Sequence, residues 1–285
     1  MIQKILFPVN FSPSCLAIAA YVQRVAILFD AQVTLVHVCD LESHDGFELY
    51  VRSPQEIAQE HRTVAQHKLN SFLRSKFPPT ACPRVLLSGE PAAQIAEFAR
   101  TDGFDLIIMP THAGRFRRML LGSTTVKVLN DADCPVLTTE HARTIAPRSI
   151  EHREWVCGIG LNGDSERVLR LVSRAAAQAQ ARLSLVHAVQ NGNSVLTELG
   201  LGKSADSAEK EEAHRRLEEL ERTVGCEATV DVAAGSVKEV LLDAARRSAA
   251  DVLIIGRTLR SGALGRMRDF TYSVIRDSPS PVLSV

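Results

Sequence analysis

The sequence predicts an α/β protein built from two tandem, doubly wound parallel sheets of five strands each, and three observations lead there. The first is a long internal repeat. "AQVTLVHVC" from Ala31 returns as "ARLSLVHAV" from Ala181, 150 residues on. "DLIIMPTH" from Asp105 returns as "DVLIIGRT" from Asp251, and "DADCPVLTT" from Asp131 as "DSPSPVLSV" from Asp277, both 146 residues on. So long a period excludes a solenoid and means one domain duplicated. The second is that the strand segments are near-continuous apolar runs, as a parallel sheet buried on both faces requires. The third is the regular alternation of these runs with longer helical patterns, which winds a sheet on both faces.

In the first copy "KILFPV" is a strand, and Ser12-Pro13 opens a helix to about Leu28. Proline suits the first helical position because its missing N–H would be unpaired there anyway. "VTLVHVC" is the second strand, Ser53-Pro54 opens a helix to about Lys76, and "RVLLSG" is the third strand. Gly89-Glu90-Pro91 starts a third helix, "DLIIM" is the fourth strand, Ser123 begins a fourth helix, and "PVLTT" ends the unit. The polar stretch "HARTIAPRSIEHRE" belongs to neither copy. The chain therefore divides into a first domain over 1–143, a linker over 144–154 and a second domain over 155–285.

Composition narrows the function classes. Lys plus Arg and Asp plus Glu number 33 each, so no basic field is expected to hold a nucleic-acid backbone. No apolar stretch approaches the roughly 18 residues that span a bilayer. The start "MIQKILFPVNFSPS" lacks the regions of a signal peptide. A cytoplasmic protein with neither a nucleic-acid nor a membrane partner is expected. Six cysteines without a C-x-x-C pair predict reduced, largely buried thiols. The nine histidines show no metal-ligand spacing. No Ser-His-Asp constellation can be argued, so no catalytic residue is expected.

Ligands of an open parallel sheet sit beyond the carboxyl ends of its strands, where the strand order reverses. The loops there follow Val9, Val38 and Met109 and supply Asn10-Phe11-Ser12, Cys39-Asp40 and Pro110-Thr111-His112-Ala113-Gly114. The last runs on through Arg115, Arg117 and Arg118 to Gly122-Ser123-Thr124 at a helix start. Free N–H groups and the positive end of the helix dipole attract phosphate there. The same triplet also reads as an ordinary N-cap, and the arginines as a solvated rim. Neither a P-loop nor G-x-G-x-x-G is present. His37 and His187, at equivalent ends of a buried strand, are expected to share a structural role. "SAEKEEAHRRLEELERT" from Ser207 reads as an exposed helix face with Glu–Arg pairs.

"KILFPVNFS", "VTLVHVC", "LIIMPTHAGRFRRMLLGST" and "VLNDADCPVLTT", in this order and at these spacings, resemble a universal stress protein domain. The duplicated chain resembles the tandem-domain members of that family, and the likeness spans nearly all of it. The resemblance implies the family's Rossmann-like fold. In the family's nucleotide-binding branch an acidic residue after the first strand meets the adenosine end of ATP, and a G-x2-G-x9-G-[ST] loop wraps the phosphates and ribose. Carried over, it implies a site at Pro8, Val9, Asn10, Ser12, Val38, Met109, Thr111, His112, Gly114, Arg115, Gly122, Ser123 and Thr124. Its ligand would be ATP or another adenine nucleotide, with Mg2+ as the accompanying ion. Asn10 stands where the family has aspartate, and Val38 falls in the adenine slot. Pro110 replaces the first glycine, and Ala113 the second unless Gly114 serves. Gly122 and Ser123 match, so the loop keeps its carboxyl half.

In the second copy Gly160 aligns with Asn10 and offers no side chain. Gly256 keeps the first loop glycine, Leu259 takes the second, and Arg268-Asp269 replace Gly-Ser, setting an aspartate where phosphate would rest. Gly262 and Gly265 find no place on the pattern. This half is expected to be degenerate. The function implied is a stress-type regulatory protein whose first domain binds an adenine nucleotide with weak or altered affinity, ordering the 110–122 loop. A homodimer of tandem chains is expected, with "PVLTT" and "PVLSV" pairing inside each chain as a pseudo-dimer. The alternative is an interaction or oligomerisation module without nucleotide. A weak ATPase ranks third, because the lysine, carboxylate pair and base of phosphoryl transfer are missing.

Overall fold

The computed structural model describes residues 1–39, 53–111, 121–139, 152–189, 202–257 and 264–285. Contacts divide the chain into two units, Ile2–Ala146 and Pro147–Val285. The first contains β1 (Lys4–Pro8), α1 (Pro13–Phe29), β2 (Gln32–Cys39), α2 (Pro54–Ser71), β3 (Arg84–Ser88), α3 (Pro91–Thr101), β4 (Leu106–Pro110), α4 (Ser123–Asp131) and β5 (Val136–Thr139). Its strands lie in the order β3-β2-β1-β4-β5, each neighbouring pair parallel. The second unit contains β6 (Glu154–Gly158), α5 (Ser165–Ala179), β7 (Arg182–Val189), α6 (Gly202–Val224), β8 (Thr229–Ala234), α7 (Val237–Arg247), β9 (Val252–Ile255), α8 (Leu264–Asp277) and β10 (Val282–Ser284). Its order, β8-β7-β6-β9-β10, repeats the first with the same parallel pairs. The expected doubly wound α/β architecture is present twice.

Burial explains the apolar runs. Ile5, Leu6 and Phe7 of β1 are all fully buried, as are Ile107 and Ile108 of β4 and Leu253 and Ile254 of β9. Consecutive strand side chains point to opposite faces, so both faces of the central strands are covered. An aspartate before β4 and β9 ties down the start of the neighbouring strand. Asp105 Oδ2 accepts the N–H of Gln3 at 2.8 Å and of Lys4 at 2.9 Å. Asp251 Oδ2 accepts the N–H of Glu154 at 3.0 Å. Glu154, assigned by sequence to the linker, is thereby the first residue of β6, and it pairs with Arg182.

Local chemistry fixes the helix starts. The Ser12 hydroxyl accepts the Cys15 N–H at the head of α1, with Pro13 in the first turn. Ser53 and Glu56 form a reciprocal capping box on α2. Glu90 caps α3 through the Ala93 N–H and reaches Lys127 of α4 at 2.8 Å. On α6, Ala213 and Leu217 face inward, while Glu212–Arg215 and His214–Glu218 pair on the exposed side.

The end of α2 differs from expectation: it stops at Ser71, not near Lys76, and Leu73 enters the left-handed region at φ 54°. The cause is Arg84 on β3. Its guanidinium donates to the carbonyls of Leu69, Phe72 at 2.8 Å and Phe77 at 2.7 Å. These carbonyls lie past the last helical hydrogen bonds, where a cation is favoured. Arg84→Met keeps the aliphatic stem but strands the three acceptors. It is expected to cost about 1.5–3 kcal/mol, read as a lower urea midpoint at unchanged m-value.

Candidate functional site

Beyond the carboxyl ends of β1, β2 and β4 lies a cavity of about 170 Å³. Pro8, Val9 and Asn10, Val36 to Val38, and Met109-Pro110 form its strand side. Cys15 of α1, Pro91 and Ile95 of α3, and Gly122 to Thr125 complete it. This is where the strand order reverses, between β1 and β4.

The β1 end is held by a histidine. The Val9 N–H donates to the Val36 carbonyl at 2.8 Å, while the Val9 carbonyl lies 2.7 Å from His37 Nδ1. A carbonyl only accepts, so Nδ1 carries the proton and Nε2 is the acceptor in the neutral ring. The Phe11 ring lies 4.3 Å from the His37 ring and 5.3 Å from that of Phe72, on a backbone with φ 60°. Burial pushes the His37 pKa below its ordinary 6.5; the bond to Val9 opposes the shift and the Lys68 charge adds to it. The second unit repeats the device: His187 Nδ1 lies 2.7 Å from the Ile159 carbonyl, and Leu161 has φ 50°. The expected shared structural role of the two histidines is thus a strand-end carbonyl bond.

Asn10 Oδ1 accepts from the Ser12 N–H at 3.1 Å and the Cys15 thiol at 3.2 Å, leaving its NH2 as the group available to a ligand. Burial raises the Cys15 pKa despite these bonds, so the thiol stays protonated. Ser12 does not line the cavity, because its hydroxyl caps α1. Thr111 is buried behind it and offers its carbonyl to the Gly122 N–H at 2.9 Å. His112, Gly114 and Arg115 lie outside the described residues, as do Arg117 and Arg118.

The Gly-Ser-Thr triplet is not a hydroxyl cap. Gly122 itself is the N-cap, with φ −62° and ψ 140°, and no side-chain cap bond is made. Ser123 and Thr124 are the first helical residues, and the N–H groups of Ser123, Thr124 and Thr125 have no acceptor within the helix. Thr125 Oγ1 donates to the Pro110 carbonyl at 3.1 Å, fixing this turn against β4. A Cβ on Gly122 would come no closer than 3.7 Å to its neighbours. Neither backbone nor packing therefore demands a glycine there.

Sequence reasoning placed Pro8, Val9, Asn10, Val38, Met109, Gly122, Ser123 and Thr124 at one locus, and the structure brings them together around this cavity. It missed Cys15 and Ile95, which enter from helices; their place on the buried faces of α1 and α3 was the available signal. The second unit has an equivalent cavity of about 260 Å³. Gly160 offers no side chain of its own, as expected, but a Cβ there would lie 3.1 Å from Asn162 Nδ2, so that amide covers the position.

The model of the universal stress protein family matches residues 1–139 and again 153–285. The universal stress protein MJ0531 of Methanocaldococcus jannaschii is 29% identical over 152 residues, 48% of this chain and 82% of that one. Universal stress protein A homolog 2 of Coxiella burnetii is 30% identical over 108 residues, 38% of this chain and 73% of that one. A crystal structure of a universal stress protein from Archaeoglobus fulgidus shares the fold, with a TM-score of 0.67 at 19% identity, covering 99% of this chain and 95% of that one.

The His37 shift has a sign that can be tested. With the folded pKa below the unfolded 6.5, the unfolded chain takes its proton first as pH falls. The resulting stability is complete above about pH 6.5 and is lost as pH drops towards the folded value. His37→Asn can keep a donor to Val9 without titrating, and it is expected to remove this part of the slope in urea unfolding curves.

Proposed function

This chain belongs to the universal stress protein family, and on that premise we propose that its N-terminal half is a regulatory site for an adenine nucleotide. The observation that supports it is the continuity of an apolar strand-end cavity with the open first turn of α4. A purine fits the apolar side formed by Val9, Val38 and Met109, with the Asn10 NH2 as a donor. Phosphates rest on the amides of Ser123 to Thr125, favoured by the dipole, with the hydroxyls of Ser123 and Thr124 as further donors. The described lining holds no lysine or arginine. Binding therefore relies on amides and hydroxyls, and the affinity is correspondingly modest.

The described lining also holds no carboxylate, whereas Mg2+ is usually held by one or two carboxylates together with phosphates. The ion would ride on the phosphates. We assign no phosphoryl transfer to the site. The role is regulatory: nucleotide favours one conformation, or one partner, to the extent that it binds the two states differently. A homodimer of tandem chains in the cytoplasm is the state we propose for that role, and light scattering with and without nucleotide measures it.

Gly122→Asp separates fold from ligand. A capping carboxylate at the head of α4 is expected to raise stability by about 0.3–1 kcal/mol, while placing negative charge where phosphate sits. Calorimetric titration with ATP, ADP and AMP is expected to show binding to the unaltered chain, weakened about tenfold or more in the variant, equivalent to at least about 1.4 kcal/mol. Equal affinity in both proteins would remove α4 from the site. The absence of heat and of thermal shift with all three nucleotides would end the nucleotide reading in favour of an interaction module.

A further inference from the structure

We propose that the cavity of the second unit binds a purine nucleoside lacking phosphate, so that the two halves of the chain answer to different phosphorylation states of one ligand. This rests on reading the first half as an adenine-nucleotide site. The strand-end linings of the two cavities correspond, and their apolar sides persist: Ile159, Val186, Leu241 and Ile255 stand where Val9, Val36, Ile95 and Met109 stand in the first unit. Four strand-end positions lose bulk, Ala188 standing where Val38 stands in the first unit. Gly158, Gly160 and Gly256 replace Pro8, Asn10 and Pro110, and the cavity is about 260 Å³ rather than 170 Å³.

The polar end is rebuilt rather than lost. Asn162 Nδ2 lies over Gly160, and its Oδ1 accepts the Asp164 N–H at 3.1 Å. The Asn162 N–H donates to Ser165 Oγ at 2.8 Å, which holds the turn. Asp164 also lines the cavity, makes no side-chain cap bond, and forms no ion pair among the described residues. A carboxylate in that place accepts from vicinal hydroxyls, as acidic residues do from ribose in other doubly wound sheets, and it repels phosphate.

The phosphate end is closed by the backbone. By the 146-residue offset, Arg268 to Thr271 are the equivalents of Gly122 to Thr125. Yet α8 begins at Leu264, so the N–H groups at 268–271 bond inside the helix to carbonyls four residues back. Phe270 lines the cavity where Thr124 stands in the first unit. The open amides that would seat phosphate are absent from this position. Arg257 also lines the cavity, so the test must ask whether it recruits a phosphate.

The experiment is calorimetric titration of the full chain with adenosine, AMP and ATP, using the unaltered protein, Gly122→Asp and Asp164→Asn. Adenosine is expected to bind a site that Gly122→Asp leaves intact and Asp164→Asn weakens about tenfold, about 1.4 kcal/mol. In the Gly122→Asp chain AMP is expected to bind at least tenfold more weakly than adenosine. Asp164→Asn removes no capping bond, so the variant folds; Gly256→Leu, which fills the cavity from just beyond β9, gives a second loss of adenosine binding. Adenosine binding indifferent to both substitutions, or no adenosine binding, overturns the proposal. AMP binding as tight as adenosine in the Gly122→Asp chain overturns it too, and gives Arg257 the phosphate. Adenosine binding that depends on Asp164 beside an ATP-silent chain would sink the first-half reading alone. ATP binding lost with Gly122→Asp, without Asp164-dependent adenosine binding, would sink this proposal alone.

Discussion

A carbonyl left over at the end of a strand governs the shape of the ligand-facing end in each half. Val9 gives its N–H to Val36 as the last rung, and its carbonyl has no rung to join. Leaving such a group buried and unpaired costs about 1–3 kcal/mol. His37 supplies the partner, and the bond fixes both the tautomer and the orientation of a ring that lines the cavity. Phe11, in the left-handed region, packs on that ring and turns the chain towards the Ser12 cap. Asn10, between the two, folds back with its oxygen on Ser12 and Cys15. The ligand-facing end is thus a consequence of how one strand stops.

The duplication separates what the fold needs from what a ligand needs. The Asp105 and Asp251 clasps, the His37 and His187 bonds and the left-handed residues at 11 and 161 occur in both copies with nearly the same geometry. The clasps and the histidine bonds satisfy backbone groups at strand ends. The residues that differ sit one position away, on the cavity side. Pro8 against Gly158 and Pro110 against Gly256 change volume, and each glycine has a backbone N–H that the proline lacks. Pairing of β6 with β9 runs to Gly158–Ile255, whereas that of β1 with β4 stops at Leu6–Ile107. At Gly158 part of the gained room is taken by Leu241, whose methyls would lie 2.9 Å from a Cβ there.

The fold was legible where the signals are local. Ser12-Pro13, Ser53-Pro54 and Glu90-Pro91 begin helices where the sequence places them, because capping and a proline in the first turn act within four residues. The end of α2 was not legible, because it is set by Arg84, on a strand the chain reaches only later. The site followed the same rule. Val9, Asn10, Val38 and Met109 could be read from the ends of apolar runs, whereas Ser12 was spent on a cap. The triplet at 122–124 had two readings that only backbone geometry separates. What covers Gly160 was not legible, because alignment compares position with position and the amide over it comes from Asn162, two residues on.

Phosphate recognition by a helix end depends on where that helix begins, and its start is easily moved. Ser123 and Asp269 are equivalent positions, yet α4 starts at Ser123 while α8 starts at Leu264, five residues earlier in the repeat. Five residues is more than one turn, about 7.5 Å of rise, enough to carry the open amides away from the strand ends. The extension satisfies backbone donors that would otherwise need water or a ligand, so it costs the fold little. Strand order and core stay as they were. A doubly wound domain can thus lose the open amides at the head of one helix by lengthening it while keeping an apolar strand-end cavity. That is why the second half is better understood as a cavity with changed chemistry than as a broken copy of the first.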